Sequence, residues 1–241
     1  MAKTYFISDA HLGLESKETE ERKERRILGF LDFIAADASQ LFIVGDLFDA
    51  WFEYRSVIPK GHHRLLTKLE DLVLSNIKVH YLVGNHDYWT RNFFRDELGI
   101  IVYRGPFETT IDGKRFFIHH GDGLSSNDTG YRILKTLLRN PAAMWLYTLI
   151  HPDLGIALAR FSSRKSRQYT ADKHYGEEDG MLKFAAEKIR QGIDVVVMGH
   201  RHQPALKELG RGLYLNLGDW IEHNTYAEVE DGRVNLRSWN P

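Results

Sequence analysis

The chain has 241 residues, 43% of them hydrophobic, and a formal net charge of −1. That length suits one α/β domain carrying an insertion, with enough buried surface to fold without staples. The absence of cysteine excludes disulfides and thiolate metal sites, and near-neutral charge with no long basic stripe argues against a nucleic-acid partner.

In chain order, MAKTYFISDAHLG starts a strand (Lys3–Ser8) almost at once and lacks the apolar core of a signal peptide. An amphipathic helix is predicted over Glu18–Ala36, then a strand in LFIVGD (41–46) that is apolar on both faces, as in a sheet covered by helices. A helix over His62–Ser75 leads to a third strand, Lys78–Val83, and this β-α-β-α-β rhythm predicts a parallel sheet. Glu108–His119 reads as a hairpin turned at Asp112–Gly113. A helix over Gly176–Gln191 and a strand at Val195–Met198 come next. Leu206–Leu209, Leu213–Leu217, Ala227–Glu230 and Val234–Ser238 then suggest antiparallel strands, so that the two ends of the chain form two sheets in one layered domain spanning 1–241. Residues 128–175 interrupt this pattern with helical periodicity, much apolar surface and a basic end, and are read as a helical insertion. No apolar run reaches the roughly 18 residues needed to cross a bilayer.

Five polar clusters each follow an apolar run that reads as a strand: SDAH, GDLFD, GNHD, HHGD and GHRH. In open α/β sheets ligands bind beyond the carboxyl ends of the strands, so these clusters are expected to converge. Twelve histidines in the chain are a further pointer to metal. In Asp9-x-His11 and His200-x-His202, alternate residues of an extended segment would aim both side chains at one ion. Seven ligand candidates emerge: Asp9, His11, Asp46, Asn85, His120, His200 and His202. With one carboxylate shared, they make four contacts to each of two metals. Oxygen and imidazole ligands without thiolate suit Mn²⁺, Fe²⁺ or Zn²⁺.

The order DxH, GDxxD, GNHD, HGD, GHxH resembles the calcineurin-like metallophosphoesterase superfamily across most of the chain. That resemblance implies a four-layer α/β/β/α sandwich with a dinuclear centre at the strand ends. It assigns Asp9, His11 and His202 to one metal, Asn85, His120 and His200 to the other, and Asp46 to the bridge. Within the superfamily, SDAHLG, GDLFDAWFEY, the DTGY segment after HGD and the insertion with a basic end resemble the UDP-2,3-diacylglucosamine pyrophosphohydrolases of lipid A biosynthesis. This implies hydrolysis of a nucleotide-lipid substrate to UMP and 2,3-diacylglucosamine 1-phosphate, Mn²⁺ as the metal, and a cytoplasmic enzyme peripheral on the inner membrane. The chain departs from that closer family at His86, where the family carries arginine. The alternatives are a phosphoesterase acting on another small nucleotide or phosphodiester, and a non-catalytic scaffold of the same fold.

In the GNHD cluster, Asn85 would be a neutral oxygen ligand, and His86 a hydrogen-bond donor or general acid toward the phosphate or leaving oxygen. Asp87 would orient His86 and favour its protonated form if the side chains meet. Asp49 and Asp122 would orient metal ligands. In the insertion, Arg164, Lys165 and Arg167 would face substrate phosphates or anionic headgroups. Asp128 and Ser163, by approximate position in the closer family, would contact the nucleotide or sugar. Apolar residues such as Tyr131, Leu134, Met144, Trp145, Leu149 and Phe161 would form either an acyl-chain groove, with the insertion as a lid, or the insertion's own core.

Overall fold

The computed structural model describes residues 2–124, 136, 139–171 and 180–240, with 164–171 as backbone alone. Eleven strands form two sheets among the described residues. The first contains β1 (Lys3–Ile7), β2 (Ala38–Val44), β3 (Lys78–Leu82), β4 (Ile101–Tyr103), β10 (Thr225–Glu230) and β11 (Arg233–Ser238), in the order β11-β10-β1-β2-β3-β4. The second, in the order β5-β6-β7-β9-β8, contains β5 (Phe107–Ile111), β6 (Lys114–Ile118), β7 (Val195–Met198), β8 (Ala205–Leu209) and β9 (Gly212–Asn216). Six helices accompany them among the described residues: α1 (Lys17–Ile34), α2 (His63–Leu74), α3 (Phe93–Asp96), α4 (Pro141–Tyr147), α5 (Pro152–Ala171) and α6 (Gly180–Arg190).

The period-two alternation of the strands assigns the layers. On β2, Leu41 and Ile43 join Ile27, Phe30, Leu31 and Leu69 of α1 and α2 in one core, whereas Phe42 and Val44 face the second sheet. On β7, Val195 and Val197 face the first sheet, while Val196 and Met198 pack on Met181, Ala185 and Ile189 of α6. Three apolar cores therefore separate four layers, α/β/β/α. The central strands β2 and β7 are apolar on both faces because both faces are covered, whereas the edge strands β8 and β11 are largely exposed. Burying one such Val, Leu, Ile or Phe side chain contributes about 1.5–3 kcal/mol, and Phe6 of β1 stacked on Phe116 of β6 at 6.0 Å spans the middle core.

The parallel β1–β4 arrangement agrees with the crossover rhythm, and the β5–β6 hairpin turns at Asp112–Gly113, both at positive φ. The expected partition of the C-terminal strands is corrected. The β8–β9 pair joins the second sheet, with β9 parallel to β7, but the β10–β11 hairpin returns to the first sheet and pairs antiparallel with β1. The short β4 and α3 are additions to the predicted elements.

Candidate metal centre

Asp9 and His11 follow β1, Asp46 follows β2, Asn85 follows β3, His120 follows β6, and His200 and His202 follow β7. The adjoining carboxyl ends of the two sheets bring these loops together. Asp9, His11 and His202 offer ligand atoms within 4.8 Å of one another, as do Asp46, His120 and His200. Asp46 lies between the groups: its Oδ2 is 3.7 Å from His11 Nε2 and 3.2 Å from His120 Nε2. Asn85 Oδ1 is 3.1 Å from His120 Nε2, so all seven candidates meet in one place. His86 also comes within this reach of His11 and Asp46.

The local backbone differs from the extended segments expected for the two x-spaced pairs. Asp9, His11, Asp46, His200 and His202 all have φ between 44° and 70°. Convergence therefore comes from left-handed turns and not from a pleat, a conformation that Asp and His tolerate better than β-branched residues. Hydrogen bonds between loops hold these turns: Asp9 N donates to Gly45 O (3.1 Å), His11 N to Asp46 O (2.9 Å), and His200 N to Asp9 Oδ2 (2.8 Å). Close approach accounts for the glycines of GN and GH. A Cβ on Gly84 would overlap Asp46 Oδ1, and one on Gly199 would overlap Asp9 Oδ2.

The donor set fits cations. His11 Nε2 and His202 Nε2 stand 3.1 Å apart, with Asp9 Oδ1 3.7 and 3.3 Å from them respectively. Ligands bonded at about 2.1 Å to one ion lie about 3.0–3.4 Å apart for octahedral or tetrahedral arrangement, so the group is sized for a metal. Asp9 Oδ1 is buried with no hydrogen-bond partner among the described residues, an arrangement that costs free energy unless a cation meets it. His120 Nδ1 lies 2.8 Å from Val44 O, which fixes the Nδ1–H tautomer and turns the Nε2 lone pair inward.

The electrostatics agree. Burial pushes the Asp9 and Asp46 carboxyls up, yet the surrounding histidines outweigh it and hold both below the usual carboxylate range. Burial likewise opposes charge on His120, but Asp46 above all, with Asp9 and Asp122, raises it to about 10. His11 rises to about 9 against the same burial through Asp49, Asp9 and Asp46. Positive charge is favoured at His11 and His120, whereas burial, with the His120 charge, lowers His200 to about 4.

The support expected from Asp87 is corrected. Asp87 is fully buried and accepts hydrogen bonds from Gly84 N (2.7 Å), Leu47 N (2.9 Å) and the Tyr81 hydroxyl. It braces the turn beneath the centre and does not orient His86. His86 Nδ1 instead lies 2.9 Å from Asp49 O and 3.0 Å from Ser163 Oγ. Burial pushes the His86 imidazolium down, against the raising influence of Asp46 and Asp49, so protonation is not favoured as expected. Asp49 Oδ1 lies 3.5 Å from His11 Nδ1 and accepts from Ser163 Oγ (2.9 Å).

Ser163 of α5, in the segment expected to be an insertion, is buried and meets Asp49 and His86 at the centre. Arg139 pairs with Asp122 at 3.0 Å and lies over the Tyr88 ring at 4.0 Å. Asp128, Tyr131 and Leu134 fall outside the described residues, as do the side chains of Arg164, Lys165 and Arg167. Sequence reasoning missed Glu53, buried and accepting from the backbone N–H groups of Arg91, Asn92 and Phe93. It thereby fixes the loop after GNHD. A pocket of about 250 Å³ opens beside it between core and insertion, lined by Phe52, Trp89, Met144 and Trp145 among others.

Residues 2–204 match the calcineurin-like phosphoesterase family. The chain belongs to that family. It is a metal-dependent hydrolase whose family uses divalent ions, and its clustered His and Asp side chains can hold them. A UDP-2,3-diacylglucosamine hydrolase from Porphyromonas gingivalis (strain ATCC BAA-308 / W83) is 36% identical over 251 residues, covering 96% of this chain and 95% of that protein. The protein of the same name from Salmonella typhimurium is 29% identical, covering 97% of each. A solved archaeal phosphodiesterase shares the fold, with a TM-score of 0.50 at 15% identity and 98% coverage of both chains.

Proposed function

We propose that this phosphoesterase hydrolyses the pyrophosphate bond of UDP-2,3-diacylglucosamine, releasing UMP and 2,3-diacylglucosamine 1-phosphate. The observation that carries this reading is the 36% identity with a UDP-2,3-diacylglucosamine hydrolase over nearly the full length of both chains. In this reading Asp9, His11 and His202 would hold one Mn²⁺ and Asn85, His120 and His200 a second, with Asp46 a ligand common to both. When bound, such ions lower the pKa of water and neutralise phosphoryl oxygens. Asn85 provides an oxygen without adding negative charge where an anionic substrate must approach. His86 is anchored through Nδ1–H on the Asp49 carbonyl, so Nε2 faces the substrate and donates to the phosphate or leaving oxygen only when the anionic substrate brings a second proton to the ring. Asp87 supports the turn and takes no part in proton transfer.

The segment 128–175 acts as a lid within one domain. Trp145, Leu146, Leu154 and Phe161 on its described helices, and Leu149 in the turn between them, are exposed, a surface suited to acyl chains or to the edge of a bilayer. Asp128, Ser163, Arg164, Lys165 and Arg167 are assigned to the polar part of the substrate. Among the described residues no helix is long and apolar enough to cross a membrane. The proposed location is cytoplasmic and peripheral on the inner membrane.

The test is hydrolysis by Mn²⁺-loaded protein of UDP-2,3-diacylglucosamine beside UDP-glucose and bis-p-nitrophenyl phosphate. Preferential cleavage of the acylated nucleotide with release of UMP is expected. Turnover of the simple diester with the lipid nucleotide untouched would refute the substrate and leave the phosphoesterase centre standing.

A further inference from the structure

We propose that Lys23 is a positioning residue for the metal site formed by Asp9, His11 and His202. Its ammonium group holds the left-handed His11 peptide, and through it the imidazole, in ligating geometry. The inference rests on the two-metal reading above and adds to it a residue outside the motif set.

The starting observation is a charge on the wrong face of a helix. The buried residues of α1 are Lys23, Ile27, Phe30, Leu31 and Ile34, so Lys23 occupies the first position of the core-facing stripe. It is 4% exposed, and lysine is almost never buried to that extent without a partner. Its Nζ donates to the carbonyl oxygen of His11 at 2.8 Å and pairs with Glu20 at 3.0 Å. Glu20 in turn accepts from Gly13 N through Oε2 and from Glu15 N through Oε1, both at 2.8 Å. The contacts of the pair fall on residues 11, 13 and 15 of the loop that leaves β1. Asn85, His120 and His200 hang from β3, β6 and β7 instead.

His11 requires such a hold. At φ 44° its backbone is in a region that non-glycine residues occupy only when their surroundings impose it. The Asp46 carbonyl accepts from its N–H on one side, and Lys23 donates to its carbonyl on the other. Both peptides flanking His11 are therefore oriented, and the side chain leaves the backbone in one direction, toward Asp9 and His202. Without the ammonium group, a buried carbonyl and the half-buried Glu20 carboxylate both lose a donor. The His11 N–H and the Leu12 N–H keep their bonds to Asp46 O and Leu47 O, so the turn relaxes on its carbonyl side, at the residue that carries the ligand.

Full-length protein, K23M and K23Q are titrated with Mn²⁺. Binding is followed by electron paramagnetic resonance, and the fold of the metal-free proteins by circular dichroism. The unsubstituted protein is expected to bind two Mn²⁺ with an exchange-coupled spectrum. Both variants are expected to fold, to keep one Mn²⁺ with the hyperfine-split signal of an isolated ion, and to bind the other about 10- to 100-fold more weakly. In K23C the substituted residue is the only thiol of the chain. Aminoethylation in denaturant followed by refolding rebuilds a lysine-like ammonium group and is expected to recover the coupled spectrum. Two ions bound with unchanged affinity by a folded K23M or K23Q would overturn the role of Lys23. So would equal weakening of both ions, or loss of fold in both variants, because Lys23 would then support the domain and not one site. A single Mn²⁺ in the unsubstituted protein would instead overturn the two-metal reading.

Discussion

Ser163→Ala separates support of the centre by α5 from contact with substrate. Ser163 Oγ donates to Asp49 Oδ1 at 2.9 Å and lies 3.0 Å from His86 Nδ1, all within a buried corner. Its removal takes a hydrogen bond from a buried carboxylate, a contact worth about 1.5–3 kcal/mol. His86 keeps the Asp49 carbonyl at 2.9 Å, so its ring is loosened and not released. With about half of the loss, about 0.75–1.5 kcal/mol, felt in the transition state, kcat falls about 4- to 12-fold. The assay is steady-state hydrolysis of bis-p-nitrophenyl phosphate by Mn²⁺-loaded protein, with kcat and KM determined separately. This small diester carries neither nucleoside nor acyl chain, so a subsite for those groups has no influence on it. A kcat within twofold of the unsubstituted enzyme, or an effect confined to KM, would refute the reasoning.

Three other expectations follow from the geometry. His86→Gln should lower kcat about 10²- to 10⁴-fold while Mn²⁺ stoichiometry, read by metal analysis, stays unchanged. Asp87→Asn should lower stability in urea by about 2–3 kcal/mol, because an amide cannot accept from Gly84 N, Leu47 N and the Tyr81 hydroxyl without turning a donor against one of them; the folded fraction should retain its kcat. His80 is stacked on Phe42 at 4.2 Å, and burial, helped by the Lys78 charge, depresses its pKa from 6.5 to about 4. Its neutral form therefore contributes stability that is complete above pH 6.5 and lost as pH falls toward 4. The linkage amounts to about 2 kcal/mol at pH 5, reduced to about 1 kcal/mol for water reaching the ring edge. Urea unfolding of His80→Phe should lack that part of the pH dependence between pH 7.5 and 5, and equal slopes in the two proteins would dismiss it.

Hydrophobic alternation and helical stripes were legible in the chain because they are local. The strand at Val195–Met198 and the helix at His63–Leu74 emerge within a residue of where they were expected. Pairing was not local. Nothing in Thr225–Ser238 says that this hairpin returns beside β1 rather than extending the sheet it follows. The site was legible as a set of polar strand ends, but its supports were not. Ser163 meets His86 across 77 residues of chain and Asp49 across 114. A hydroxyl on a helix does not announce such partners. Two missed features did leave a local trace. Lys23 heads the buried stripe four residues before Ile27, and the Gly199–His200 pair signals a tight turn at one of the two positions read as extended.

The positive-φ turns bear on the order in which the centre is assembled. Five ligand candidates sit in backbone conformations that cost about 1–3 kcal/mol each where they are not compensated. Metal coordination acts on side chains and could not by itself orient so many peptides. Contacts between the loops can: Asp9 accepts from His200 N through its carboxylate and from Trp220 N through its carbonyl. Asp46 accepts from His86 N through Oδ1, and its carbonyl receives His11 N. Each of these carboxylates thus uses one oxygen to shape a neighbouring turn and keeps the other toward the shared centre. The layered cores and these cross-loop bonds set the cage, so a cation need only enter it. Chelation should accordingly abolish activity while leaving the four-layer fold in place, because the free energy that orders the ligands comes from the polypeptide.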